Sequence, residues 1–186
     1  MRWERLFDDL EAQLAADEGH DRDAEIADRT RRERSLIGLH ERLLANVGAE
    51  LVWWVAGRSV RAVVVDVGPD WVLTALAPGR PLLLRTAAVR SLSGLRRGAQ
   101  TPSVVARRFT LALALGAVSR DRAAVELCDV DGRLTVGTVD VVGADHLEVA
   151  EHAADETRRA GNVTGVSLLP FASLAWVRRV RPALPG

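Results

Sequence analysis

Lysine and tyrosine are both absent from this chain of 186 residues, and every one of its 25 basic residues is arginine. Without lysine there is no phosphate-cradling P-loop, no Schiff-base amine and no kinase-type lysine, so three large classes of catalyst fall away together. The arginine-only usage has two readings. One is codon bias acting on a tolerant surface; the other is selection for a planar guanidinium that binds phosphate in bidentate fashion. A single cysteine, Cys128, can form neither an intrachain disulfide nor a cysteine-based metal cluster, and its setting in Val125-Glu126-Leu127-Cys128 marks it as a small buried hydrophobe.

Long apolar runs are missing too. The longest weakly polar stretch, from Phe109 to Val118, has about half the residues needed to cross a bilayer. Charged residues stand at Arg2, Glu4 and Arg5, where a secretory signal would place an apolar core. No membrane association and a cytoplasmic location are the expectations. Net charge is zero but unevenly placed: residues 1–50 carry 13 acidic residues against 8 arginines, residues 51–186 carry 12 against 17. An acidic front thus precedes a basic remainder.

What the chain does have is a repeat. Gly57-Arg58 and Gly68-Pro69-Asp70-Trp71-Val72 recur as Gly132-Arg133 and Gly143-Ala144-Asp145-His146-Leu147, at a constant offset of 75 residues. Around the first copy, Leu51–Val55, Val60–Val67, Trp71–Ala75, Leu82–Leu84 and Ala87–Leu92 are short β-type runs separated by turn signals. Around the second, Ala124–Cys128, Leu134–Val142, His146–Ala150, Val166–Leu169 and Ala172–Arg178 follow in the same order. About ten extra residues, Glu151 to Gly161, shift the offset to 85 beyond the third strand and suit an exposed loop. Five short strands in so few residues predict a small, strongly bent barrel in each copy.

Helical patterns precede both copies. Trp3, Leu6, Phe7 and Leu10 share one face of a short helix whose back is acidic. A second pattern runs from about Asp23 to Ala45. Before the second copy, Ser103 is placed to cap a helix with Val105, Phe109, Ala112, Leu113 and Gly116 on one face. The expected fold is α+β and mostly β. Its divisions are an acidic helical region over 1–47, a five-stranded barrel over 48–98, and a linking helix with a second barrel over 103–181, interrupted by the insertion 151–161.

A helix followed by five strands, with Gly132-Arg133-Leu134-Thr135-Val136-Gly137 at the bend of the second, resembles the Sm-like fold (LSm, Hfq-type). The first copy keeps Gly57 and has Ala62 at the second glycine's place. The resemblance implies tandem SH3-like barrels, with Gly57, Gly68, Gly132, Gly137 and Gly143 as fold-defining turns. It also implies RNA contact just before the last strand. There the family carries Lys-His, whereas this chain carries Arg85-Thr86 and Pro170-Phe171. From its opening Trp3-Glu4-Arg5-Leu6-Phe7, the chain further resembles an uncharacterised family of actinobacterial proteins, some labelled Fis-type regulators. A Fis-type protein ends in a helix-turn-helix, but Ser173 to Val177 reads as a strand.

No residue set supports catalysis. None of His20, His40, His146 and His152 lies in a motif with a nucleophile, and Asp66 and Asp140 read as outward positions on half-exposed strands. Strand alternation splits Asp145 from His146 and Glu148, so these residues with Glu151 and His152 do not converge on a metal. No cofactor is implied. Two non-enzymatic readings remain open. The first is a binding or scaffold module acting through protein–protein contacts, including self-assembly into a homo-oligomer, with Trp3, Leu6, Phe7 and Leu10 as candidate contacts. The second is an RNA-binding or other nucleic-acid-binding regulator, using Arg85, Arg96, Arg97, Arg107, Arg108, Arg178 and Arg179 for phosphates and Trp53 or Trp54 for stacking. Adjacent strand residues face opposite ways, so one of those tryptophans belongs to the core.

Overall fold

The computed structural model describes residue 25 and residues 28–76, 79–104 and 106–180. The helix expected at Trp3–Leu14, with the candidate contacts Trp3, Leu6, Phe7 and Leu10, lies outside the described residues. Contacts divide the chain between Gly38 and Leu39. In the first unit, residues 28–35 are helical (α1), and the helix ends in three-residue turns as Leu36 and Ile37 donate to the carbonyls of Glu33 and Arg34. The expected helix to Ala45 is therefore broken. Gly38, a poor helix former, stands at the break.

The second unit begins with α2 (Leu39–Leu44), followed by β1 (Glu50–Val55), β2 (Arg58–Val67), β3 (Trp71–Leu76), β4 (Arg80–Arg85) and β5 (Val89–Ser93). Then come α3 (Leu111–Asp121), β6 (Val125–Asp129), β7 (Leu134–Val142), β8 (His146–Glu151), β9 (Gly165–Pro170) and β10 (Leu174–Arg179). All strand pairs are antiparallel. The protein is thus mostly β, with few helices.

Separate tandem barrels are not what the strands form. They build one open sheet of ten strands in the order β5-β1-β2-β3-β4-β10-β6-β7-β8-β9, which does not close on itself. The physical reason is the pairing of β4. Its outer edge bonds β10 of the other strand set, with Trp176 opposite Leu84, Val177 opposite Leu83 and Arg178 opposite Leu82. A strand has two edges, and both edges of β4 are occupied, by β3 and β10.

The repeat itself is followed closely. Offsets of 75 carry β3 onto β8, and 85 carries β4 onto β9 and the single-turn helix Thr86–Ala88 onto Phe171–Ser173. Even the irregularities recur: a bulge at Val65 is matched at Asp140, and one at Arg90 is matched at Ala175. For β1 and β6 the offset is 74, because the connection from β6 to β7, Val130 to Arg133, is longer than the two residues, Ala56 and Gly57, that join β1 to β2. Both turns need a left-handed residue, supplied by Gly57 (φ 72°) and Gly132 (φ 91°).

Two apolar clusters lie along the sheet, and each borrows from the other strand set. The front cluster, centred on Leu51, Trp53 and Val72, takes in Cys128, Ala175 and Trp176. The rear one, centred on Leu115, Leu127 and Val149, takes in Trp71 and Leu83. Trp53 is fully buried and its neighbour Trp54 is exposed, as alternation requires. α3 begins later than expected and turns another face inward. Leu111 and Leu115 are its buried residues, with Ala114 and Val118 packed beside them, while Phe109 and Leu113 are more than half exposed. Ser103 does cap, but its hydroxyl accepts from Ala106 N at the short turn Ala106–Arg108 rather than at α3.

Candidate functional site

The β4–β10 seam is where the two strand sets recognise each other, and its chemistry is specific. Both faces of β4 are covered, Leu82 and Leu84 lying in the front cluster and Leu83 in the rear one, and β10 buries Leu174 through Val177. Polar groups lock the flank. Asp70, on the turn before β3, accepts from the backbone N–H of Leu111 at 2.7 Å and so serves the first turn of α3, where Thr110 gives no side-chain cap. The indole N–H of Trp71 donates to the carbonyl of Phe109 at 2.6 Å. Arg85 donates from Nη1 to the carbonyl of Ala172 at 2.8 Å. The Gly68 and Gly143 turns are built alike. A Cβ on Gly68 would lie 2.2 Å from the Trp71 ring, and one on Gly143 would lie 2.5 Å from the His146 ring.

At the two ends of the sheet lie β5 and β9, each with one neighbour among the described residues. β9 presents Val166 (70% exposed) and Leu168 (62% exposed), and its interior, Val166 to Leu169, carries no charge and no proline. By repeat position Leu168 is the counterpart of Leu83, which is only 8% exposed in the seam. Asp145 and His146 are the counterparts of Asp70 and Trp71; here the imidazole Nδ1 and the Asp145 carboxylate lie 2.9 Å apart. A hollow beside β9 is lined by Leu127, Val149, Leu168 and Leu169 together with Asp129, Arg133, Thr135 and Ser167; Leu127 is the repeat counterpart of Trp53.

Three of the candidate phosphate-binding arginines are engaged within the fold. Arg178 makes a two-oxygen pair with Glu126 at 2.8 and 2.9 Å and lies over the Trp176 ring, and Arg179 pairs with Asp121. Arg85 serves the seam. Arg96 and Arg97 are on the segment after β5, Arg107 and Arg108 on the turn before α3. Arg158 of the insertion forks onto Asp140 of β7 through Nε and Nη2, which raises the guanidinium's pKa through that hydrogen bond and the adjacent charge.

Nor do the acidic and histidine side chains near β8 converge. His152 is buried with Nε2 2.9 Å from the Thr138 hydroxyl and Nδ1 on the carbonyl of Ala153, and Glu151 accepts from Ser167. Among the described residues no three such side chains are placed to share a metal ion. Asp66 is exposed and accepts from Val67 N at 2.8 Å. Cys128 is fully buried, and removal from water pushes its thiol above the ordinary range, with Arg58 acting the other way. Among the described residues no helix is long and apolar enough to cross a membrane.

The seam and the bare β9 edge escaped the sequence reading. One signal was there: alternate apolar residues in an uncharged strand that is not flanked by a buried neighbour. Comparison with protein-family models, curated proteins and solved structures gives no match.

Proposed function

We propose that this chain is a non-enzymatic binding or scaffold module that works through protein–protein contacts, its two strand sets each laid out on an Sm-like plan. The observation that carries the reading is β9. An edge strand offers a row of backbone donors and acceptors to any strand that can reach it, and folded proteins guard such edges with charge, proline or a cover. The interior of β9 has no charge or proline, and Val166 and Leu168 stand bare beside it. That combination suits a partner that adds a strand, with main-chain bonds giving affinity and alternate side chains giving selectivity. The engagement of three of the seven candidate arginines, Arg85, Arg178 and Arg179, within the fold favours protein over nucleic acid.

The test is affinity capture with the full chain from nuclease-treated and untreated extracts of its host, beside Leu168→Arg. Protein partners retained after nuclease treatment and lost with Leu168→Arg are the expected result. Retention of RNA alone, unaffected by Leu168→Arg and weakened by Arg96→Ala with Arg97→Ala, would replace this reading with the nucleic-acid one.

A further inference from the structure

The hollow beside β9 defines the kind of strand that this edge receives. We infer that it takes one branched aliphatic side chain from an extended, basic segment of another protein that pairs along β9. The inference rests on the protein-binding reading above and names the partner's chemistry.

The internal repeat supplies the comparison. Where the rear set (β6–β10) lines the hollow with Leu127, Ser167 and Asp129, the front set (β1–β5) carries Trp53, Leu82 and Val55. Those three are buried in the front cluster and fill the equivalent space. The rear set has less bulk at the first two positions and a carboxylate at the third, and a cavity of about 90 Å³ remains. Protein interiors close up to leave few voids larger than a water molecule, and the front set shows that the same plan can close. The rear set keeps room for a guest.

Size and polarity describe that guest. An apolar cavity of about 150 Å³ admits benzene, so one of about 90 Å³ is too small for an aromatic side chain and suits the branched end of valine, leucine or isoleucine. Its floor is Leu127, Val149 and Leu169. Polar groups on the walls are already engaged: Asp129 Oδ1 accepts from the backbone N–H groups of Asp131 and Arg133 at 3.0 and 2.8 Å, and the Ser167 hydroxyl donates to Glu151. Apolar surface is what they leave to a guest.

Position links the hollow to the edge. β6 and β9 end the run β6-β7-β8-β9, so a hollow walled by Leu127 on one and by Ser167, Leu168 and Leu169 on the other lies inside the curl of these strands, along β9. A strand laid on β9 would alternate its side chains between the hollow and the face of Val166 and Leu168. Charge selects its other residues. Glu148 and Glu151 stand on β8, with Asp129 and Asp131 beside the hollow, and among the described residues Arg133 is the one cation lining it. Arginine or lysine on either side of the aliphatic residue complements these acids.

The experiment titrates the full-length chain into a labelled synthetic peptide with a central isoleucine, an arginine on each side and threonines beyond, capped at both ends, read by fluorescence anisotropy and mapped by amide NMR shifts. Binding is expected, with shifts at Leu127, Val149 and Ser167. Alanine or phenylalanine at the centre, or glutamates in place of the arginines, is expected to weaken it about tenfold or more. Ser167→Leu, which supplies the residue the front set carries, is expected to weaken it about as much, with a urea midpoint no lower than that of the unmodified chain. No binding at about 1 mM, indifference to the central residue or to the flanking charge, preference for phenylalanine, or binding unaffected by Ser167→Leu overturns the inference; the peptide series on the unmodified chain decides it even where Ser167→Leu does not fold. Affinity capture from host extracts separates the two readings. Proteins kept by Ser167→Leu and lost with Leu168→Arg leave the edge reading standing without the hollow; if the unmodified chain captures none, both fall.

Discussion

Leu83 and Leu168 are the same residue at the same place in the repeat, and replacing each by alanine should have unequal consequences. Leu83 is 8% exposed and Leu168 62% exposed. Truncating a well-buried leucine costs about 2–5 kcal/mol, the transfer of the lost methyl groups plus the cavity they leave. Truncating one that is mostly in water stays within about 0.5 kcal/mol. With a urea dependence of about 2 kcal/mol/M, Leu83→Ala should lower the denaturation midpoint by about 1–2.5 M, and Leu168→Ala should leave it in place, both read by circular dichroism in dilute solution. Equal losses from the two substitutions in dilute solution would refute the assignment of Leu83 to a seam and Leu168 to an edge.

Gly137→Ala should destabilise by about 1–3 kcal/mol, because an added Cβ would lie 2.1 Å from the carbonyl oxygen of Ala150 on the paired strand; Gly57→Ala has open space and should cost only the left-handed backbone, about 1 kcal/mol, by thermal melting. Arg122 ends α3 in the left-handed region at φ 51°, so Arg122→Gly should raise stability by about 0.5–1 kcal/mol, or about 1–4 °C in Tm. Cys128 should resist a thiol reagent at neutral pH until the chain unfolds, since its thiol is held up by burial. The sign of the linked effect is fixed: the folded state keeps the proton more tightly than the unfolded state. That contribution is therefore fully present below the ordinary thiol range and is lost as pH rises through the raised value, and Cys128→Ala should flatten the alkaline limb of the stability curve.

Strand positions were legible because they are written locally. Alternation and turn residues at Gly57, Gly68, Gly132 and Gly143 mark boundaries within a residue or two, and the 75 and 85 offsets survive into the paired strands. The start of α3 was harder, since Phe109, Leu111, Leu113 and Leu115 satisfy a strand period as well as a helical one; the acceptor that settles the start at Leu111 is Asp70, forty-one residues upstream. Closure into two barrels failed for a related reason. Whether β4 meets its own set or β10 depends on the fit of Leu82, Leu83 and Leu84 against Trp176 and Val177, a pairing across about ninety residues that no local pattern records. Of the candidate site, the arginines could be named from the sequence but not their partners: Glu126 and Asp121 look like any surface acids until β10 is laid beside β6 and its end reaches α3.

The connection from Gly94 to Thr110 has a thermodynamic role as well as a topological one. By tethering the two strand sets it makes their meeting intramolecular, at an effective concentration on the order of millimolar. The β4–β10 contact therefore forms even where its intrinsic affinity is weak. Occupancy of that joint is thereby uncoupled from how much of the protein is present.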